Sequence, residues 1–168
     1  MGLFDKFKNI NVETEEEKKK RIAQETIDTY LSQFKDADGY YATLNKAGRD
    51  IIHDMISHED EDKVLKVLEI AEDVNKEDKY GYTYLTVACS EHKIQVIEKL
   101  LNMGANPNQG DSPLLDALGG NNKNNPKILE LFIKYGVDLK KEINGATLED
   151  TIRSFEEDAL NEILDDNK

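Results

Sequence analysis

Asp78-Lys79-Tyr80-Gly81-Tyr82-Thr83-Tyr84-Leu85 lies 33 residues after Asn45-Lys46-Ala47-Gly48-Arg49-Asp50-Ile51-Ile52, and Gly48 falls on Gly81. The same ungapped offset sets Val67-Leu68 on Leu100-Leu101 and Val74-Asn75 on Pro107-Asn108. One register thus matches the start, middle and end of a unit. Self-similarity at a period of this size marks a chain built from stacked repeats.

Two further units follow with changed lengths. Gly110-Asp111-Ser112-Pro113-Leu114 repeats Gly81-Tyr82-Thr83-Tyr84-Leu85, and Phe132-Ile133-Lys134-Tyr135-Gly136 repeats Leu100-Leu101-Asn102-Met103-Gly104. The last unit runs from Gly145-Ala146-Thr147-Leu148 to Ile163-Leu164. The second unit holds two short apolar patterns at helical spacing: Leu85, Ala88 and Cys89, then Ile94, Val96, Ile97, Leu100 and Leu101. Gly104 follows the second pattern, where a left-handed helix cap belongs. Helix, tight turn, helix and extended turn describe an all-α solenoid of about four helix-turn-helix units, over residues 45–77, 78–108, 109–140 and 141–168. Circular dichroism should therefore be dominated by helix.

These residues resemble the ankyrin repeat, whose pattern is roughly D-x-x-G-x-T-P-L-x-x-A-A, a helical break, then V-x-x-L-L-x-x-G-A-x-x-N. Asp78, Gly81, Thr83, Leu85, Ala88, Ile97, Leu100, Leu101, Gly104, Ala105 and Asn108 fit it. The third unit offers Gly110, Ser112, Pro113, Leu114, Ala117, Gly136 and Asp138. The first unit is degenerate, with His53 where the family often has histidine, and the fourth resembles a terminal cap. Tyr84 stands in the place of the family's proline, and His92 in that of the inter-helix glycine; His tolerates left-handed geometry better than most residues. Leu85 to Leu114 is 29 residues rather than 33, which predicts a shortened finger before the third unit. Ala117 to Phe132 is 15 against 12, which predicts an enlarged loop within Gly119–Pro126.

Ahead of the repeats, residues 14–40 read as a leader whose helix spans about 14–35. Thr14 and Glu17 make a capping box, and Glu15, Glu16 and Glu17 favour the first turn. Ile22, Ala23, Ile27, Tyr30, Leu31 and Phe34 form one apolar stripe. The simplest role of that stripe is to cap the open apolar end of the first unit. Asp36-Ala37-Asp38-Gly39 breaks the helix. Residues 1–13 read as an arm. Leu3, Phe4 and Phe7 are few anchors for a membrane, so they are expected to pack on the body, and no membrane contact is expected.

The 168 residues carry 22 basic and 35 acidic side chains, a net charge of -13. Residues 1–35 are neutral, so the whole excess lies in 36–168. Such a field repels phosphate backbones, so no nucleic-acid partner is expected, and a basic protein is. The single cysteine, Cys89, excludes an intramolecular disulfide. With no apolar h-region at the start, no secretory signal is expected, and a cytoplasmic location is the default.

No catalytic constellation stands out, and no enzyme activity, metal or cofactor is expected. His53 and His58 are five apart, whereas a metal-binding pair on a helix prefers four; both read as a solvated helix end. Cys89 reads as a small packing residue between helices. Glu59-Asp60-Glu61-Asp62 and Glu156-Glu157-Asp158 read as acidic helix starts rather than cation sites. Gly119-Gly120 belongs to no phosphate-loop pattern.

The resemblance implies a protein-binding module. It places the contacts on the turn tips and the inner face of the first helices: Lys46, Ala47 and Arg49, then Lys79, Tyr80, Tyr82, Ser90 and Glu91. Tyr80 and Tyr82 are the sharpest candidates, because tyrosine gives a large contact area with a polar end. The expected module is a monomer when alone and engages a basic partner, as an immunity protein blocking a toxin would. A structural or regulatory adaptor, its arm contacting a membrane or another subunit, is the alternative.

Overall fold

The computed structural model describes residues 13–110, 112–120 and 122–167. The expected arm lies outside them, apart from Glu13. Among the described residues the order is α1 Glu15–Leu31, α2 Ala37–Lys46, α3 Ile51–His58, α4 Glu61–Val67, a 3-10 turn Leu68–Ile70, α5 Tyr84–Ser90, α6 Ile94–Asn102, α7 Pro113–Ala117, α8 Asn125–Lys134, β1 Glu142–Ile143, β2 Ala146–Thr147, α9 Leu148–Arg153 and α10 Asp158–Asp166. The four expected helix pairs are α3/α4, α5/α6, α7/α8 and α9/α10. The strands form only a two-residue hairpin, pairing Glu142 with Thr147 and Ile143 with Ala146.

The repeated sequence makes repeated local structure. Asp50, Thr83, Ser112 and Thr147 cap the first helix of each pair, each accepting from backbone N–H groups of the first turn. Gly48 and Gly81, matched by the register, both lie in the left-handed region, at φ 70 and 85°. After α6, Gly104 turns left-handed at φ 92°, Ala105 N–H reaches Leu100 C=O and Gly104 N–H reaches Leu101 C=O. That pair of hydrogen bonds closes the helix end as the sequence predicts. His92 takes φ 51° after α5 and closes that end in the same way, through Lys93 N–H to Ala88 C=O.

The helices stack in two layers. α3, α5 and α7 pack side by side in one; α4 and α6, and likewise α8 and α10, pack in the other. Between the layers lie Met55, Ile56, Leu68, Leu85, Ile97, Leu100, Leu114, Ile128 and Phe132, all fully buried. Cys89 is fully buried among them, and burial pushes its thiol well up. Polar clamps recur at the repeat period. Asn75 donates to Gly104 C=O at 3.1 Å and accepts from Asn106 N–H at 2.7 Å. Asn108, its match in the register, does the same to Gly136 C=O at 2.9 Å and Asp138 N–H at 2.7 Å. Glu61 accepts from Gln95 and Val96 N–H at the start of α6. Lys93 Nζ donates to the Ile56 and Glu59 carbonyls at the end of α3. Each clamp ties one unit to the next, so cohesion between neighbours comes from polar contacts as well as apolar area.

The N-terminal end departs from the sequence expectation in two respects. α1 ends at Leu31 with Ser32 as its C-cap, short of the expected residue 35, and Asp36 does not break it: its carboxylate accepts Gly39 N–H and starts α2, a helix where the sequence predicts a break. α1 lies on α4 and the 3-10 turn, and α2 lies on α3, so two helices rather than one cover the first pair. Ala23, Ile27 and Tyr30 of the expected stripe are buried there. Phe34, between the helices, stacks on Tyr40 with ring centroids 4.0 Å apart.

Both acidic runs sit at helix starts: Asp60 caps α4, with Glu61 and Asp62 in its first turn, and Glu157 precedes α10. His53 corrects the sequence reading. It is buried, not solvated: its ring meets Tyr84 edge-on at 4.4 Å, with Nδ1 3.2 Å from Asp50 Oδ1 and Nε2 3.3 Å from Tyr82 C=O. The degenerate first unit uses this histidine to hold the next finger. His58 alone stays at the exposed helix end, against Asp54.

Candidate functional site

The extended turns between pairs differ in length. Residues 71–83 and 135–147 run long, whereas 103–112 runs short, as the 29-residue spacing predicts. Gly110 of the short finger folds against α5. A Cβ there would meet the Thr86 methyl at 3.1 Å, and φ is 79°, so glycine is required. Lys141 Nζ fastens this finger through the carbonyls of Asn108 and Gly110, at 3.1 and 2.8 Å.

The finger at 71–83 presents the two tyrosines. Asp78 is buried at its base and organises it. One carboxylate oxygen takes Arg49 Nε at 2.8 Å; the other takes the backbone N–H of Tyr80 at 2.8 Å and of Tyr82 at 3.0 Å. Burial pushes this carboxyl up, but Arg49 and the two N–H groups outweigh it and hold it below the usual carboxylate range. The backbone is thereby fixed while the rings stay out: Tyr80 is 66% exposed and Tyr82 44%. Lys79 Nζ stands 4.8 Å from the Tyr80 ring centroid, a cation–π contact that steadies the ring.

The structure brings some of the sequence candidates together and separates others. Arg49, Lys79, Tyr80 and Tyr82 share the finger and its base. Ser90 is exposed one helical turn beyond Thr86, its hydroxyl on Thr86 C=O at 3.1 Å. Glu91 is exposed at the far end of α5. Lys46 is exposed in the last turn of α2, not on a finger tip, because α2 occupies the start of the first repeat. Ala47 links the first two fingers, its carbonyl accepting Lys79 N–H at 3.0 Å.

Over the short finger lies a notch of about 350 Å³, lined by Glu77, Tyr80, Gly81, Tyr82, Thr86, Gly110 and Asp116. Sequence reasoning missed Glu77, Thr86, Gly110 and Asp116. The signal in the sequence was the 29-residue spacing, which marks the finger next to Tyr82 as shortened. The enlarged loop spans 118–124, and Asn125 at the start of α8 is fully buried, donating to Leu118 and Gly120 carbonyls. Asn121 within that loop lies outside the described residues. Among the described residues no group of three or more His, Cys, Asp or Glu is placed to hold a metal, and no helix is long and apolar enough to cross a membrane.

No curated protein matches this sequence. Among solved structures, an ankyrin repeat domain from Acinetobacter baumannii AYE is similar, with TM-score 0.59 and 18% identity over 89% of this chain and 96% of that one. At that identity the likeness bears on the fold alone. The family model for ankyrin repeats (3 copies) matches residues 52–143, more than half of the chain. The chain belongs to the ankyrin-repeat family.

Proposed function

We propose that this chain binds a basic partner protein through the finger at 71–83 and the adjoining inner surface, with Tyr80 and Tyr82 as anchors, Arg49 and Lys79 beside them, and Lys46, Ser90 and Glu91 as outlying contacts on α2 and at the end of α5. Ankyrin repeats are in general protein–protein interaction modules, and the family is typically non-enzymatic. The observation that carries the reading is the pairing of a fixed backbone with exposed rings. Asp78 and Arg49 order the tip before binding, so the anchors lose little entropy on contact. The basic character of the partner rests on the charge of -13, all of it in residues 36–168.

The test is capture from the native cell with the tagged full chain, followed by measured binding of the identified partner. A basic protein that binds the parent and loses at least tenfold with Tyr80→Ala plus Tyr82→Ala supports the reading. An acidic partner, or one indifferent to the double variant, sinks it. Blocking a basic toxin is one form this binding would take, and a toxin as the identified partner would assign it.

A further inference from the structure

The notch beside Tyr82 has a composition that the finger alone does not need. Its lining includes the small residues Gly81 and Gly110 and the Thr86 side chain, whose hydroxyl is spent on Thr83. Tyr80 and Tyr82 line it as well. Carboxylates come from two sides, Glu77 on the finger and Asp116 on α7. Glu77 is held there, because Gln109 Nε2 donates to its Oε1 at 2.7 Å and is itself tied to Asn75 C=O at 3.0 Å. Lys79 stands over the Tyr80 ring and is not part of the lining.

Each class of ligand can be weighed against that lining. An anion meets two carboxylates. A metal lacks a third ligand group among the described residues. An apolar side chain would bury carboxylate surface without offering it a hydrogen bond. At about 350 Å³ the space sits at the small end of ligand pockets, which suits one side chain better than a cofactor. What remains is a cation with a flat face. Guanidinium is weakly hydrated, stacks on aromatic rings and offers donors in a fixed fork to carboxylates, whereas ammonium is a strongly hydrated point charge.

We propose that the notch between Tyr80, Tyr82, Glu77 and Asp116 receives one arginine side chain of the partner. This rests on the reading above that the partner is a basic protein, and it adds the residue type that is recognised. Arginine lies along the Tyr82 ring and directs its nitrogens to the two carboxylates.

The probe is the blocked tripeptide acetyl-Gly-Arg-Gly-amide, with its citrulline counterpart as a neutral isostere, titrated into the isotope-labelled full chain and followed by NMR. The Tyr80 and Tyr82 ring signals and the Thr86 methyl should move saturably with the arginine probe. Citrulline should bind at least about tenfold more weakly, as should the arginine probe to Glu77→Gln, since each loses a charge-assisted hydrogen bond. Equal response to citrulline, shifts confined to other residues, or no shift at all overturns the notch. A captured partner that depends on Tyr80 and Tyr82 but is indifferent to Glu77→Gln overturns it too, and leaves the surface reading intact. Saturable ring shifts with the arginine probe, alongside a captured partner that ignores both tyrosines, support the notch and remove the surface reading instead.

Discussion

Tyr30 in α1 donates its hydroxyl to Oδ2 of the buried Asp54 in α3 at 2.5 Å. Tyr40 in α2 donates to the same oxygen at 2.5 Å. One carboxylate thus anchors both capping helices to the first repeat. Burial, and then Asp54 itself, raise both phenols above their ordinary range, which favours the protonated donor form.

Removing one donor leaves a buried carboxylate short of a partner, which is costlier than the net worth of the bond. Tyr30→Phe should therefore destabilise by about 1–3 kcal/mol. The two phenols share one oxygen, so Tyr30→Phe with Tyr40→Phe should depart from additivity by more than about 0.5 kcal/mol. Denaturant unfolding of the two single variants and the double variant measures this. Additive losses would show that the two hydroxyls act independently, and no loss in any variant would show that the cap is held by its apolar stripe alone.

A second prediction separates core from surface. Leu100 is fully buried in the second pair, whereas Tyr82 is 44% exposed. Leu100→Ala should cost about 2–5 kcal/mol. Tyr82→Ala should cost about 1 kcal/mol or less. Thermal unfolding should rank them in that order; the reverse would mark Tyr82 as a structural residue of the finger.

A third prediction concerns acid. Asp50 caps α3 and accepts from His53 and from the Tyr84 hydroxyl, the latter at 2.6 Å. Burial raises its carboxyl, but these hydrogen bonds outweigh burial and hold it far below the usual range. A carboxyl lowered in the folded state binds protons more readily in the unfolded chain. Its stabilisation is thus fully present above about pH 5, where an unfolded Asp near 3.9 is ionised, and is lost as pH falls through the folded value. Asp78 has the same sign. The parent should lose stability steadily below about pH 4, and Asp50→Asn should flatten that slope. An unchanged slope in the variant would assign the acid loss to other carboxylates.

The repeat register, the caps and the odd finger were legible in the sequence because each depends on local chemistry: spacing, a capping oxygen, a glycine at positive φ. α2 was not. Its capping residue Asp36 looked like a breaker, and Asp-Ala-Asp-Gly serves equally to end one helix and begin another. His53 was misplaced for a different reason. Helical spacing puts it near charged neighbours, but its burial is decided by Tyr84 and the next finger, 31 residues on in the case of Tyr84. The tyrosines of the candidate site could be named from their turn, whereas the notch beside them depends on Gly110 reaching Thr86 across two units, which no single repeat reveals.

The last prediction tests the use of the acidic field. Residues 36–168 hold the whole net charge of -13, and residues 1–35 are neutral. Charge spread in this way acts at a distance, on the approach of a partner, more than on the contacts it finally makes. The identified partner should therefore associate fast at low salt. Raising salt should slow association more than it speeds dissociation, because the Debye length falls from roughly 30 Å at 0.01 M to roughly 8 Å at 0.15 M. Tyr80→Ala with Tyr82→Ala should do the opposite, changing dissociation by about tenfold or more and leaving the salt slope of association in place. Stopped-flow rates across a salt series, for the parent and the double variant, separate the two effects. A salt-independent association rate would reduce the acidity to a role in solubility, and an unchanged dissociation rate in the double variant would move the contact away from the finger at 71–83.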